Sequence, residues 1–155
     1  MTVAVLFVCL GNICRSPLAE AAFRAEAERL GLEVEVDSAG TGNWHVGEPP
    51  DRRAQAAARR NGSDISHLRA RQVRAEDFAR FEHIVAMDGR NLADLRRLRP
   101  ARARAELSLL LDHVPGREGH AVADPYYGAE EHFDATWSDV AAGAGALAGK
   151  LAGER

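Results

Sequence analysis

One short segment holds most of the residues that could do chemistry. Cys9 and Arg15 form the pattern C-x₅-R, and Ser16 follows the arginine directly. A cysteine thiolate is a strong nucleophile, and a helix N-terminus or a nearby cation favours that form. A guanidinium can bind two oxygens of one phosphate group. We therefore interpret this spacing as a nucleophile beside an anion-binding group, which is typical of phosphoryl transfer.

The elements around this segment place it between a strand and a helix. Val3–Val8 is a continuous apolar run, typical of a buried strand. Pro17 favours the first turn of a helix over Pro17–Leu30, so Cys9–Ser16 is the connecting loop. Free N–H groups and partial positive charge at a helix start attract anions. Gly11 permits unusual backbone torsions in such a loop.

Strand and helix patterns alternate along the rest of the chain. Further strands are predicted over Glu33–Ser38, Ile84–Met87 and Ala105–Leu111. Further helices are predicted over Asp51–Asn61, Ala75–Phe81, Asp88–Leu98 and Glu131–Leu151, the last weakened by Gly143, Gly145 and Gly149. This alternation predicts an α/β fold: a single three-layer domain over residues 1–155, with a four-stranded parallel sheet flanked by helices on both faces. Ligands of such sheets bind beyond the carboxyl ends of the strands, where the Cys9 loop would lie.

Composition and charge exclude several classes of protein. The 155 residues are 46% hydrophobic, which indicates a globular chain, yet no apolar run approaches the roughly 20 residues that span a bilayer. A net charge of −3 disfavours nucleic-acid binding. The two cysteines, Cys9 and Cys14, are too few for a disulfide framework, and no nearby histidine pair completes a zinc site. We expect a cytoplasmic protein with no signal peptide and no membrane partner.

Two motifs together carry a family resemblance. CLGNICRSP over Cys9–Pro17 and DPYYG over Asp124–Gly128 resemble the low-molecular-weight protein tyrosine phosphatases. The similarity also covers Ser38–Thr41, Trp44–Asp51, Ala70–Gln72, Met87, Asp88 and Asn91. It implies a flavodoxin-like arrangement of the sheet and hydrolysis of phosphotyrosine through a phosphocysteine intermediate. It also implies phosphotyrosine-containing proteins as partners. We expect no cofactor or metal, because Arg15 and the backbone supply the positive charge, and we expect a monomer.

The resemblance assigns a role to each candidate residue. Cys9 is the expected nucleophile, Arg15 binds the phosphate, and Asp124 acts as general acid and then as general base. The remaining phosphate-binding loop comprises Leu10, Gly11, Asn12, Ile13, Cys14 and Ser16, with Ser38 as support. Trp44, Tyr126 and Tyr127 are the expected substrate pocket, although Tyr127 could instead have a packing role.

Two residues leave alternatives open. The family often has a histidine at the position of Leu68, whereas this chain has His67 one residue earlier. Either the loop shifts or the hydrogen-bond network lacks that member. Cys14 is implied as a redox partner of Cys9, which would make the nucleophile redox-sensitive, but it could equally be a small buried residue.

Three competing functions are less favoured. An arsenate reductase of this fold needs further thiols, and no cysteine follows Cys14. Related protein-arginine phosphatases carry threonine at the position of Ile13, and the apolar side chain here favours an aromatic substrate. A non-catalytic phosphate-binding module would usually have lost the nucleophile, the arginine or the acid, and this chain keeps all three.

Overall fold

Four parallel strands form one sheet in the computed structural model, which describes residues 2–154. The strands are β1 (Val3–Cys9), β2 (Val34–Gly40), β3 (His83–Ala86) and β4 (Glu106–Leu109). Their order in the sheet is β2-β1-β3-β4, and each neighbouring pair is parallel. The predicted four-stranded parallel sheet is therefore confirmed, with β1 at its centre.

Helices cover both faces of the sheet. They are α1 (Arg15–Arg29), α2 (Arg52–Arg60), α3 (Asp77–Arg80), α4 (Gly89–Leu98) and α5 (Glu130–Glu154). Successive side chains of a strand point to opposite faces. Phe7 of β1 accordingly packs in a core with residues of α1, α2 and α5, whereas Leu6 packs in a second core with residues of α3 and α4. Two cores on opposite faces confirm the three-layer architecture.

The elements that flank the Cys9 loop are longer than predicted. Cys9 belongs to β1, because it still pairs with Gly40 of β2. Helix α1 begins at Arg15, two residues before Pro17, so the arginine occupies the first helical position. The loop between strand and helix is consequently shorter than Cys9–Ser16.

The fourth strand is shorter than the predicted Ala105–Leu111. It ends at Leu109, and a 3₁₀ helix over Leu110–His113 follows. The side chain of Asp112 accepts a hydrogen bond from the Leu109 backbone N–H at 3.0 Å and turns the chain out of the sheet. Buried apolar residues alone do not distinguish a strand from this turn.

Helix α5 is continuous despite its glycines. A Cβ atom on Gly143 would lie only 2.4 Å from Cγ of Leu110, so glycine permits the close approach of the 3₁₀ helix to α5. The predicted weakening does not interrupt the helix. Across residues 2–154, no helix combines the length and the apolar character that crossing a membrane requires.

Backbone pairing brings distant segments to the carboxyl edge of the sheet. The Met87 N–H donates to the Val8 carbonyl at 3.1 Å, next to Cys9. The Val122 N–H in turn donates to the Met87 carbonyl at 2.8 Å. The long segment that contains Asp124 is thereby attached beside the end of β1.

Candidate active site

The loop from β1 to α1 bends at Asn12. This residue has a φ of 57°, the left-handed conformation that asparagine tolerates better than most residues. Gly11, for which we expected the unusual torsion, does not adopt a left-handed φ. Its small size matters instead, because a Cβ atom there would lie 3.1 Å from Cδ2 of His45.

A buried hydrogen-bond network supports the loop. The Asn12 amide donates to Oγ of Ser16 at 2.8 Å and to Oγ of Ser38 at 3.0 Å, and its oxygen accepts from the Arg71 backbone N–H at 3.0 Å. Ser16 Oγ lies 3.0 Å from Sγ of Cys9. The Ser16 hydroxyl also lies 3.5 Å from the Ala39 carbonyl, a second acceptor for its hydrogen. The network therefore connects three separate segments to the thiol.

The network continues to Glu20, which sequence reasoning missed. Ser38 donates to the Glu20 carboxyl at 2.9 Å, and Arg24 donates to it at 3.0 Å. Burial raises the pKa of Glu20, although the hydrogen bonds from Arg24 and Ser38 oppose that shift. A lone acidic residue on the buried face of α1 was the available signal. His67 is exposed. Among the residues that the structure describes, it is not a member of this hydrogen-bond network.

Arg15 is buried, with 3% of its side chain exposed, and is surrounded by oxygen atoms. Its Nη1 donates to Asp88 at 2.7 Å and to the Val122 carbonyl at 3.0 Å, while Nη2 lies 3.6 Å from the Asp124 carboxyl. Burial by itself would lower the pKa of Arg15, but Cys9, Asp88 and Asp124 outweigh it and raise that pKa. The guanidinium therefore stays charged in its buried position.

Asp88 has two structural duties that the motifs did not reveal. One carboxyl oxygen accepts from the Asn91 N–H at 2.8 Å and caps α4, while the other holds Arg15. The Asp88 backbone N–H in turn donates to Oδ1 of Asn91 at 3.2 Å, which completes a capping box. The family resemblance included Asp88 and Asn91, but it assigned neither residue a role.

A cavity of about 320 Å³ opens over the loop. Its lining residues are Cys9, Leu10, Gly11, Ile13, Cys14, Arg15, Trp44, His45, Asp124, Tyr126 and Tyr127. The structure thus brings the predicted nucleophile, phosphate-binding arginine and general acid to one place. Asn12, Ser16 and Ser38 are buried and support the loop rather than line the cavity. His45 is a lining residue that we did not predict.

Aromatic side chains form the outer wall of the cavity. Trp44 is 67% exposed and Tyr127 is 97% exposed, so neither packs in a core. Tyr126 is half-buried, and its ring meets that of Tyr127 edge to face at a centroid distance of 4.9 Å. Tyr127 therefore packs on Tyr126 but not in the core, and its place in the substrate pocket stays a prediction.

A sequence model described as "Low molecular weight phosphotyrosine protein phosphatase" matches residues 4–155. This chain belongs to that family. The family of that name consists of phosphatases.

Relatives of this phosphatase agree with the assignment in sequence and in fold. The low molecular weight phosphotyrosine protein phosphatase of Schizosaccharomyces pombe is 46% identical over 134 residues, which cover 84% of this chain and 85% of the relative. The crystal structure of YfkJ from Bacillus subtilis has a TM-score of 0.92 at 39% identity and covers 100% of this chain and 98% of that one. A structure described as the YwlE arginine phosphatase has a TM-score of 0.88 at 28% identity, with 99% and 98% covered.

The surroundings of Cys14 favour the neutral form of its thiol. Burial, reinforced by the charges of Asp51, Cys9 and Asp124, raises the pKa of Cys14 far above its ordinary value. It is a neutral thiol at physiological pH, and both cysteines are free. In the part of the chain that the structure describes, no group of three or more His, Cys, Asp or Glu side chains is placed to hold a metal ion.

Proposed function

We propose that this phosphatase hydrolyses phosphotyrosine and similar aryl phosphates through a covalent phosphocysteine on Cys9. The observation that carries the proposal is the single cavity lined by Cys9, Arg15 and Asp124. The 46% identical relative from Schizosaccharomyces pombe, described as a phosphotyrosine protein phosphatase, supports the same substrate class.

In the first step, Arg15 and the N–H groups of the loop bind the phosphate with its phosphorus next to the sulfur. The Cys9 thiolate attacks, so that an S–P bond forms as the bond from phosphorus to the tyrosine oxygen breaks. Protonated Asp124 transfers its proton to the departing oxygen, which keeps the electron pair of the broken bond. The fixed charge of Arg15 stabilises the transferring phosphoryl group without reorganisation.

In the second step, the Asp124 carboxylate removes a proton from water. The water oxygen attacks phosphorus, the S–P bond breaks, and inorganic phosphate forms while Cys9 leaves as a thiolate. The Ser16 hydroxyl, 3.0 Å from the sulfur, donates to that thiolate and makes it a better leaving group. A cysteine-to-serine mutant of the YwlE arginine phosphatase, described with a phosphorylated active-site serine, supports a covalent phosphoenzyme intermediate.

The cavity wall favours an aromatic leaving group. Trp44, Tyr126 and Tyr127 present aromatic surface, on which a flat ring gains burial and stacking. Ile13 adds an apolar side chain to the lining of the cavity. Phosphoarginine is the second candidate, because the YwlE arginine phosphatase shares the fold. Its charged guanidino group would have to be desolvated against this apolar wall.

The proposal is tested with p-nitrophenyl phosphate and with peptides that carry phosphotyrosine or phosphoarginine. Cys9→Ser should abolish turnover, and Asp124→Asn should slow a phosphotyrosine peptide by about 10²–10⁴-fold. Equal activity of wild type and Cys9→Ser would exclude the covalent route. A preference for the phosphoarginine peptide would replace the proposed substrate. The monomeric state and the cytoplasmic location stay predictions, and light scattering checks the first.

A further inference from the structure

We propose that Arg53 is a positioning residue that holds the Asp124 carboxyl over the cavity. The proposal depends on the general-acid role of Asp124 proposed above. Arg53 does not itself line the cavity. It lies in the first turn of α2.

Arg53 binds the turn that follows Asp124. Its Nη1 donates to the Gly128 carbonyl at 2.8 Å, and its Nη2 donates to the Tyr126 carbonyl at 2.9 Å. The Tyr126 N–H donates to Oδ1 of Asp124 at 3.1 Å. The residue whose carbonyl Arg53 holds is therefore the same residue that orients the acid.

Asp51 connects Arg53 to the phosphate-binding loop. The Asp51 carboxylate accepts from Nε of Arg53 at 3.0 Å and from Nη2 at 2.9 Å, and it caps α2 by accepting from the Arg53 backbone N–H at 2.8 Å. The Asp51 N–H donates to the Ile13 carbonyl at 2.8 Å. Asp51 and Arg53 thus join the phosphate-binding loop to the turn that follows Asp124.

Aromatic rings fix the plane of the guanidinium. Its central carbon lies 4.5 Å from the ring centroid of Phe133 and 5.9 Å from that of Tyr126, both within the range of cation–π attraction. Phe133 is fully buried in α5 and offers a rigid platform. The Asp124 side chain is exposed, so its orientation depends on the turn that Arg53 binds.

The geometry requires arginine rather than a positive charge alone. One guanidinium reaches a carboxylate and two carbonyl oxygens at once, because its donors form a planar fork. A lysine ammonium is a compact group on a flexible stem and cannot reproduce that set of directions. Arg53→Lys and Arg53→Gln should therefore have similar defects.

The experiment measures kcat/KM for aryl phosphates whose leaving groups differ in basicity. With phenyl phosphate, which needs a proton on its leaving oxygen, both Arg53 variants should lose about 10²-fold, the usual effect of a small misplacement of a reacting group. With dinitrophenyl phosphate, which does not need that proton, they should stay close to wild type. Inhibition by inorganic phosphate should also be unchanged, because Arg53 does not contact the phosphate site.

A double variant separates positioning from a general structural role. If Arg53 acts through Asp124, Arg53→Gln should cause no further loss in an Asp124→Asn background. Arg52→Gln, in which a neighbouring exposed arginine of the same helix is replaced, is the matched control and should behave as wild type. Additive losses, or equal losses with both substrates, would overturn the inference, as would wild-type activity of Arg53→Lys.

The same measurements distinguish failure of the inference from failure of the proposed function. If Asp124→Asn loses no more activity with phenyl phosphate than with dinitrophenyl phosphate, Asp124 is not the acid, and the proposed mechanism is refuted together with this inference. If Asp124→Asn shows the dependence and the Arg53 variants do not, only the positioning role is refuted.

Discussion

Replacing Ser16 with alanine removes a hydroxyl that contacts the proposed nucleophile. Ser16 is fully buried, and its oxygen lies 3.0 Å from the Cys9 sulfur. We expect Ser16→Ala to slow breakdown of the phosphocysteine, because the departing thiolate loses its donor. The Asn12 amide also loses an acceptor but keeps its bond to Ser38 at 3.0 Å.

The expected size follows from this geometry. A hydrogen bond to a charged group contributes about 1.5–3 kcal/mol, and about 1.36 kcal/mol corresponds to a tenfold change in rate. The rate of intermediate breakdown should therefore fall about 10–150-fold. The effect on kcat/KM should be smaller, because that ratio reports formation of the intermediate, in which the sulfur attacks rather than leaves.

Rapid-quench measurements with p-nitrophenyl phosphate test this prediction. Ser16→Ala should show a burst of p-nitrophenol followed by slow steady turnover, as the phosphocysteine accumulates. Ser38→Ala is the matched control, since it removes a hydroxyl from the same network without touching the sulfur. The reasoning is refuted if kcat is unchanged, or if Ser38→Ala reduces kcat as much as Ser16→Ala does.

Three further substitutions test the roles of Asp88, Glu20 and Gly143. Asp88→Asn removes the charge beside Arg15 and should reduce kcat/KM about tenfold or more for all aryl phosphates alike. A loss confined to basic leaving groups would contradict this, because it would indicate an effect on the acid. Glu20→Gln should change the pH dependence of stability. Since the folded-state pKa of Glu20 is raised, wild type should lose free energy of unfolding relative to the variant as pH rises from about 4 through that pKa. Urea titrations with a constant difference across that range would disprove it. Gly143→Ala should destabilise by about 1–3 kcal/mol through its clash with Leu110, and an unchanged urea midpoint would show that the contact relaxes freely.

The local sequence pattern was enough to predict the part of the site that lies between β1 and α1. A buried apolar strand, a short loop and a helix start follow one another directly, so Cys9, Arg15 and Ser16 needed only local geometry to converge. Asp51, the first residue of the helix predicted over Asp51–Asn61, likewise caps α2 through a local contact with the Arg53 N–H. Parallel strands with alternating helices likewise allow few arrangements of the sheet.

Spacing along the chain was not enough to predict Asp124 as the general acid. An Asp-Pro pair is by itself a turn signal, and only the DPYYG resemblance marked Asp124 as an acid. The structure brings it within 3.6 Å of Arg15 by attaching Val122 to the end of β3 through a backbone hydrogen bond. No pattern within the long segment from Pro115 to Gly128 predicts that attachment.

Only the tertiary structure shows the roles of Asp88, Glu20 and Arg53. Each looks like an ordinary helix residue in the sequence, because acidic and basic side chains are common near helix ends. Their importance comes from partners on other elements: Arg15 for Asp88, Ser38 for Glu20, and the Tyr126 carbonyl for Arg53. Such pairings depend on strand order and on where each helix crosses the sheet. Those long-range placements follow from burial of the two cores, a property of the whole chain that no local pattern contains.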